Sequence, residues 1–416
     1  MPSAGPSLRV ADVEPFIRKH CFAPAHQGLV GIELEQLAVP VDRRGAADHH
    51  AVEAATRALG TLPGRSSITF EPGGQVELSS PPRCGPAASC VVAAADLAAV
   101  GAALAGVGVD LVAVGLDPRG CGPRVLDDGR YRAMESYFDA QGACGRTMMR
   151  ATAALQVNVD VGASADQAAR WRLAHRLGPM LVAAFANSPF ADGRPHGWRS
   201  GRAAVWAGID ATRTGPVDAE GHDPALAWSS YALAARVMLV RIGEGSFRSL
   251  PPTLPFARWI EEGHELGFPT IDDLGYHLGT LFPPVRPRGW LELRMIDSLP
   301  DPWWRAAVAV VSALLDDAGA AEAASPSLEG TADLWADAAR HGLAHPALAT
   351  AARGAFAAAA QALPRLGADP ATLAAVEGFA DRFVRRGRCP ADDLLDAWRR
   401  SGEVLPRPQA LEVAWS

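Results

Sequence analysis

Lysine is almost missing from this chain of 416 residues: Lys19 is the only one, and arginine supplies the other 38 of the 39 basic side chains. A P-loop nucleotide site needs a Gly-Lys-Ser or Gly-Lys-Thr sequence, so that class of phosphate site is excluded. Lys19 falls in a predicted N-terminal helix, which is a poor place for a Schiff-base nucleophile. Any phosphate that binds here must therefore rely on arginine, backbone amides or metal ions.

Cysteine is also sparse, and long apolar runs and a basic surplus are missing. The six thiols form no C-x-x-C pair, which argues against a disulfide framework and against structural zinc. They favour free thiols in a reducing cytoplasm, with a Cys84–Cys90 redox pair as the less favoured alternative. No stretch of about 18 apolar residues lacks a charge or a breaker, and the N-terminus is unlike a secretory signal, so we expect no membrane partner. The net charge of -7 argues against a nucleic-acid partner.

The distribution of apolar and turn residues predicts a mixed fold around a sizeable core, since 49% of the residues are hydrophobic. Predicted strands cover 31–39, 67–80 (two strands around a Pro-Gly-Gly turn), 110–115, 155–161, 203–209 and 290–296. Predicted helices cover 12–21, 51–62, 86–106, 164–186 (opened by a capping box of Ser164 and Gln167) and an Ala-rich stretch from 302 to about 401. Without a β-α-β rhythm, an α+β fold with an antiparallel sheet is favoured over doubly wound α/β.

Each predicted strand has one apolar face and one polar face, because successive side chains on a strand point to opposite sides. Ile32 and Leu34 share one face of the first strand, while Glu33 and Glu35 share the other. The polar faces of the other strands carry Thr69, Glu71, Gln75, Glu77, Ser79, Gln156, Asn158, Asp160, Glu292 and Arg294. A solvated outer face explains alternation in any one strand, but such a face normally mixes basic and hydroxyl side chains with acids.

The acids on these faces indicate a cation site. Like charges opposite one another destabilise a sheet unless cations neutralise them. Oxygen ligands with little histidine or cysteine favour Mg²⁺ or Mn²⁺ over zinc, and Mg²⁺ commonly binds carboxylates together with nucleotide phosphates. If the strands pair, the sequence therefore predicts an ATP–metal platform without a P-loop. The glutamates of this platform are Glu33, Glu35, Glu71, Glu77 and Glu292.

Six stretches, in order over roughly the first 300 residues, resemble the glutamate–cysteine ligase family, in particular its plant-type branch. They are GIELE (31–35), FEPGGQVELS (70–79), MMRATAALQVNVD (148–160), FANSPFADGRPHGWRSGRAAVW (185–206), DATRTG (210–215) and WLELR (290–294). FEPGGQVELS and FANSPF are specific motifs, whereas G-x-E-x-E alone is weak. Within the family, the chain is most similar to the bacterial ligase that supplies γ-glutamylcysteine to ergothioneine synthesis.

The resemblance implies a glutamine-synthetase-like core, in which a curved antiparallel sheet with flanking helices forms a funnel. It implies L-glutamate, L-cysteine and ATP as small-molecule partners, Mg²⁺ as cofactor, and a γ-glutamyl phosphate intermediate. The family's metal ligands map to Glu33, Glu35, Glu71, Glu77, Gln156 and Glu292. Catalytic roles map to Glu292 and Arg294, and substrate or nucleotide contacts to Asn158, Arg202, Arg213 and Arg294. A distant bacterial branch has histidine where this chain has Gln156, whereas glutamine agrees with the plant-type branch.

Three hypotheses stay open on the sequence: a glutamate–cysteine ligase, a related carboxylate–amine ligase with another acceptor, and a non-catalytic nucleotide- or metal-binding module. The complete set of acids argues against the third. Arg213 could instead be structural, for example by pairing with Asp210. We expect residues 1–300 to form the catalytic core and 301–416 a helical part of the same integrated domain. We also expect Glu35→Ala or Glu292→Ala to abolish ligation and to leave the fold intact.

Overall fold

The computed structural model describes residues 6–25, 28–221 and 223–405. Its strands are β1 (Leu29–Pro40), β2 (Ser67–Phe70), β3 (Val76–Ser79), β4 (Arg83–Cys84), β5 (Val109–Val112), β6 (Ala154–Asp160), β7 (Phe190–Ala191), β8 (Arg194–Pro195), β9 (Leu239–Gly243), β10 (Ser246–Ser249), β11 (Val285–Pro287) and β12 (Trp290–Asp297). Its helices are α1 (Val10–Cys21), α2 (His49–Ala58), α3 (Gly85–Ala105), α4 (Gly129–Asp139), α5 (Cys144–Ala151), α6 (Gln167–Ala184), α7 (Gly201–Ala207), α8 (Ala211–Thr214), α9 (Pro224–Ala234), α10 (Phe256–Glu262), α11 (Ile271–Leu278), α12 (Trp303–Asp316), α13 (Ala318–Leu328), α14 (Trp335–His341), α15 (Pro346–Ala362), α16 (Pro370–Arg382) and α17 (Pro390–Ser401). Short 3-10 turns occupy Gly342–Ala344 and Val384–Arg386.

One large sheet contains β1 to β6 together with β11 and β12, and every pair of neighbouring strands in it is antiparallel. The order along its main path is β11-β12-β6-β1-β3-β2, while β4 and β5 also pair with β1. Strand β1 pairs with four partners because its twelve residues are long enough for different strands to pair with successive parts of it. The α+β fold with an antiparallel sheet, expected from the sequence, is confirmed.

Helices from both halves of the chain pack against the apolar side of this sheet. Ile32, Val157 and Leu293, on three neighbouring strands, are at most 1% exposed. They belong to one apolar cluster with Trp304 of α12 and Phe379 of α16. Burial contributes roughly 1.5–3 kcal/mol per large apolar side chain, so this shared core holds the C-terminal helices to the sheet. A domain boundary near residue 300 stays a prediction.

The strand predicted at 203–209 is wrong, because this stretch belongs to α7 and the turn that follows it. The Ser200 hydroxyl oxygen accepts a hydrogen bond from the backbone amide of Ala203 at 3.1 Å and caps the first turn. A capped first turn and two alanines favour a helix here. They outweigh the alternation of apolar and polar residues that favoured a strand, because this alternation spans only a few residues.

The capping box predicted for Ser164 and Gln167 is also wrong. Helix α6 begins at Gln167, its N-cap is Asp166, and no side chain caps it. The Gln167 side-chain amide instead donates to the backbone carbonyl oxygen of Phe22 at 3.0 Å. The Gln167 side chain, which the local pattern assigned to the capping box, is therefore engaged in a tertiary contact with the end of α1.

Helix α3 is the one helix among the described residues that is long and apolar enough, by length and composition alone, to cross a membrane. It lies against β1 and α12. Asp96, in its middle, is fully buried and accepts hydrogen bonds from the backbone amides of Gly64 at 2.5 Å and Ser66 at 2.9 Å. These contacts are those of a helix that packs on a folded core.

Candidate active site

Three glutamates from neighbouring strands converge on the polar side of the sheet. The register of β1 and β3 sets Glu35 opposite Glu77, and Glu71 follows β2 in the turn that leads to β3. One carboxylate oxygen of each lies within 4.8 Å of the others, the one such group of three acids in the described part of the chain. The turn depends on Gly73, where a Cβ would lie 2.0 Å from the backbone carbonyl oxygen of Arg150. We call Glu35, Glu71 and Glu77 the acid cluster.

Burial and the repulsion of neighbouring carboxylates raise the pKa values of Glu33, Glu35 and Glu71. Burial first, and then the charge of Glu77, raise the pKa of Glu35 to about 7. Burial, followed by the charges of Glu292 and Glu77, raises the pKa of Glu33 to about 7. Burial and the neighbouring carboxylates raise the pKa of Glu71 well above its ordinary value. A divalent cation would favour the ionised forms, and carboxylate oxygens are the ligands that Mg²⁺ prefers.

Amides of β6 hold the acids of β1 in place. The backbone amide of Ala154 and the side-chain amide of Gln156 donate to the two carboxylate oxygens of Glu35 at 2.8 and 3.0 Å. The side-chain amide of Asn158 donates to Glu33 at 2.8 Å. The carbonyl oxygen of Gln156 accepts from Arg294 at 2.5 Å, so Gln156 joins Arg294 to Glu35. Its predicted role as a metal ligand stays a prediction.

Glu292 lies among arginines, apart from the acid cluster. Its fully buried carboxylate accepts from Arg286 at 2.5 and 3.1 Å and from Arg294 at 3.0 Å, and Arg288 lies 3.6 Å away. Burial would raise the pKa of Glu292, but the charges of Arg286 and Arg294 outweigh it and lower that pKa to about 2. Glu292 is therefore ionised without a metal, and its predicted role as a metal ligand stays a prediction.

A cavity of about 320 Å³ opens beside Arg294. Its walls include the side chains of Arg202, Arg294, Trp206 and Phe282. The Arg202 guanidinium is buried and donates through Nη2 to the backbone carbonyl oxygen of Arg294 at 2.7 Å, while its Nε has no partner among the described atoms. A buried guanidinium with a free donor at a cavity wall suits a carboxylate. We call this space the Arg202 cavity.

Asp297, at the end of β12, connects the FANSPF motif to the start of α7, and α7 places Arg202 at the cavity. The buried Asp297 carboxylate accepts from the backbone amide of Asn187 at 2.8 Å and from the hydroxyls of Ser188 at 2.7 Å and Ser200 at 2.9 Å. The Ser188 hydroxyl oxygen in turn accepts from the backbone amide of Arg202 at 3.1 Å. A change at Asp297 would therefore move the start of α7 and the guanidinium that it carries.

Arg213, predicted as a substrate contact, lies in a network of its own. It is fully buried, pairs with Asp210 at 3.2 Å and donates to the backbone carbonyl oxygens of Thr280, at 2.7 Å, and Arg236. Its guanidinium also lies 4.9 Å from the ring centroid of Tyr137 on α4. The geometry favours a positioning role, because Arg213 joins the segments that surround the cavity without lining it.

Three residues around the site had no motif to identify them. Arg286 lies on the short edge strand β11, and only the register of β11 with β12 shows that it pairs with Glu292. Asp297 falls just beyond the WLELR motif, and Trp335 comes from the Ala-rich C-terminal part. For Asp297, the sequence signal that could have identified it as a site residue was a charged side chain at the end of a strand. For Trp335, no local sequence feature separates it from the other residues of the C-terminal part.

Comparison with a solved structure shows which fold the chain has, and comparison with a family model shows which family it belongs to. The structure of glutamate–cysteine ligase from Francisella tularensis in complex with AMP matches 94% of this chain and 88% of its own, with a TM-score of 0.51 and 13% identity, which shows the fold alone. The family model for glutamate–cysteine ligase family 2 matches residues 29–410. The chain belongs to this family, and the resemblance seen in the sequence is confirmed.

Two relatives show how similarity extends over the chain. Glutamate–cysteine ligase EgtA of Mycolicibacterium smegmatis is 44% identical over 380 residues, which are 89% of this chain and 87% of that protein. The chloroplastic glutamate–cysteine ligase of Arabidopsis thaliana is 32% identical over 298 residues, which are 67% of this chain and 53% of that protein. Likeness to the bacterial relative thus covers most of both chains.

Proposed function

We propose that this chain is an ATP-dependent glutamate–cysteine ligase, which joins the γ-carboxyl of L-glutamate to the amine of L-cysteine. Its products are γ-glutamylcysteine, ADP and phosphate, and its pathway is ergothioneine biosynthesis in the cytoplasm. The observation that carries the proposal is the acid cluster together with Arg294, whose charge acts on Glu35 and whose side chain lines a cavity with the buried Arg202. Similarity to EgtA over most of both chains supports the choice of substrates.

The chemistry needs two displacements and no nucleophilic side chain. The γ-carboxylate oxygen of glutamate attacks the γ-phosphorus of ATP, and ADP leaves. The amine of cysteine then attacks the carbonyl carbon of this acyl phosphate, phosphate leaves, and the amine nitrogen loses its proton. The protein contributes positioning and charge neutralisation. Trp206 and Phe282, in the cavity wall, exclude water that would otherwise hydrolyse the acyl phosphate.

The residues of the site divide these tasks. Arg202 presents its free Nε–H to a carboxylate of glutamate. Arg294 is fixed by Gln156 and Glu292, so its positive charge is already oriented where phosphoryl charge develops. Asn158 keeps Glu33 directed toward the same face of the sheet.

The acids suit Mg²⁺ or Mn²⁺, since each offers an oxygen ligand and the pKa values of Glu35 and Glu71 are raised by burial and neighbouring charge. The acid cluster and Glu33 would hold the cation, with Gln156 and Glu292 as the further predicted ligands. When bound, the cation neutralises phosphate and carboxylate charge.

Phosphate release with ATP, Mg²⁺, glutamate and a panel of amines tests the proposal. We expect release that requires both glutamate and cysteine, with γ-glutamylcysteine identified by mass spectrometry. Release with a different preferred amine would indicate the related ligase, and no release with any amine would indicate a binding module. Loss of ergothioneine after deletion of the gene from its host would test the pathway.

Replacing Arg213 by methionine is expected to lower the free energy of unfolding by about 1–3 kcal/mol, because the buried Asp210 then loses one of its two guanidinium partners and keeps Arg236 at 3.3 Å. The KM for glutamate should stay within about twofold of wild type, since Arg213 lines no part of the cavity. Urea unfolding and steady-state kinetics measure the two quantities. Arg258→Met, at an exposed arginine of α10, is the matched control. Wild-type stability with a raised KM would support direct substrate contact instead.

A further inference from the structure

Glu71 is the member of the acid cluster that lies in a turn rather than on a strand. Glu35 and Glu77 lie opposite each other in the register of β1 and β3, so the sheet fixes the distance between them. Glu71 follows the last residue of β2 and begins the turn of residues 71–75. The distance from Glu71 to the other two carboxylates therefore depends on how this turn is held.

Gln75 closes this turn and also attaches it to its surroundings. The backbone carbonyl oxygen of Gln75 accepts a hydrogen bond from the backbone amide of Glu71 at 2.9 Å. Its side-chain amide donates to the backbone carbonyl oxygen of Thr152 at 2.8 Å, and the residue is only 2% exposed. One buried residue therefore joins Glu71 to Thr152.

The segment of residues 152–154 supports Glu35 as well as the turn. The backbone amide of Ala154 donates to the Glu35 carboxylate at 2.8 Å, and Thr152, two residues earlier, accepts from Gln75. This short segment thus holds Glu35 on one side of the acid cluster and the turn on the other. The bond from Gln75 to Thr152 can be removed without a change in the backbone, because a side chain makes it.

The other half of the Gln75 amide has no partner among the described residues. Its Oε1 atom is buried and accepts no hydrogen bond from them. The orientation of the amide is fixed, because the Thr152 carbonyl oxygen needs a donor opposite it and only Nε2 is one. A buried acceptor without a partner costs free energy, so an apolar side chain of similar length would suit this place as well if only packing mattered. The bond to Thr152 therefore serves the site and not only the fold.

The freedom of the turn decides how well the acid cluster discriminates between cations. Mg²⁺ demands near-octahedral geometry with oxygen ligands at about 2.0–2.1 Å, whereas Ca²⁺ accepts flexible geometries with ligands at about 2.3–2.6 Å. One carboxylate oxygen of each acid already lies within 4.8 Å of the others. If the turn could shift, the cluster would still suit Ca²⁺ but would hold Mg²⁺ less well.

Building on the proposed function, we infer that Gln75 is a positioning residue for the cation site. It holds Glu71 at a fixed distance from Glu35 by way of Thr152, and this fixed distance favours Mg²⁺ over a larger divalent cation. Gln75 acts through Glu71 and not by contact with a substrate.

Titration of the metal-free protein with MgCl₂ or CaCl₂, followed by thermal unfolding, tests this role. Gln75→Met keeps the length of the side chain but loses its donor, and its Kd for Mg²⁺ should rise by about tenfold or more. The Kd for Ca²⁺ should rise less, so the ratio of the two Kd values shifts toward Ca²⁺. The metal-free Tm should stay close to that of wild type, because the lost bond and the removed unpaired acceptor offset each other. Gln167→Met is the matched control, since it removes a bond of the same kind, to the carbonyl oxygen of Phe22, and should leave both Kd values unchanged.

The outcomes separate this inference from the proposed function. If wild type binds neither cation, with or without ADP, the cation site of the proposed function fails and the inference fails with it. If wild type binds Mg²⁺ and Gln75→Met keeps both Kd values, the inference alone is overturned. A lower metal-free Tm with equal losses for Mg²⁺ and Ca²⁺ would also overturn it, since a merely structural role predicts that result. Should Gln75→Met fail to fold, Gln75→Asn, whose amide is one methylene too short to reach Thr152, provides the same comparison.

Discussion

Replacement of Glu35 by alanine is expected to abolish ligation and to remove the stabilisation of the fold by Mg²⁺. Glu35 is the buried member of the acid cluster, and it receives two hydrogen bonds that direct its oxygens. Without it, the remaining acids present fewer ligands to the cation and phosphate charge is less well neutralised. We expect kcat/KM to fall by about 10³-fold or more. Glu53→Ala, at a glutamate of α2 that pairs with Arg57, is the control and should behave as wild type.

The same variant gives a pH test with a definite sign. The pKa values of Glu33 and Glu35 rise from 4.5 to about 7 on folding, so the folded chain binds more protons than the unfolded chain between these values. The free energy of unfolding of the metal-free protein therefore falls as the pH rises through this window. Mg²⁺ competes with these protons, so it should stabilise the protein more at about pH 8 than at about pH 6.

Thermal unfolding with and without Mg²⁺ measures this effect. Saturation at about 100 times Kd should stabilise wild type by about 2.7 kcal/mol. Glu35→Ala should show little Mg²⁺ response and a shallower loss of metal-free stability with rising pH. A Mg²⁺ response equal to that of wild type at both pH values would count against the acid cluster as the metal site.

The faces of the strands could be predicted from the sequence, because alternation is a local property of the backbone. Ile32 and Leu34 are buried as expected, and Glu33 and Glu35 lie together on the other side. Which strands become neighbours is not local. The FEPGGQVELS motif identified Glu71 and Glu77, but only the register of β1 with β3 sets Glu77 opposite Glu35.

The electrostatic environment of each acid was harder to predict than its position. Glu292 and Glu35 looked equivalent in the sequence, since both stand on the polar face of a predicted strand. Arg286 makes the difference, and it reaches Glu292 only because β11 folds back on β12. Trp335 is a similar case, since its place in the cavity depends on packing against Gly178 on α6.

Glu292→Ala is expected to abolish activity and also to destabilise the protein, which revises the expectation that the fold stays intact. The substitution leaves the buried Arg286 and the partly buried Arg294 without the carboxylate of Glu292. Removal of one partner from a buried ion pair costs about 3–5 kcal/mol, mainly because the remaining charge is uncompensated. We expect a matching fall in the free energy of unfolding, measured with urea. Glu35→Ala should lose less stability, because it also relieves repulsion within the acid cluster.

A double variant distinguishes uncompensated charge from simple loss of packing. If unpaired Arg286 causes the destabilisation, adding Arg286→Met to Glu292→Ala should recover part of the lost stability, with a coupling energy within about 0.5–3 kcal/mol. Ligation should stay absent, because Arg294 then lacks the carboxylate that orients it. Additive losses in the double variant, or a Glu292→Ala protein as stable as wild type, would show that the arginine pairs do not hold this part of the site together.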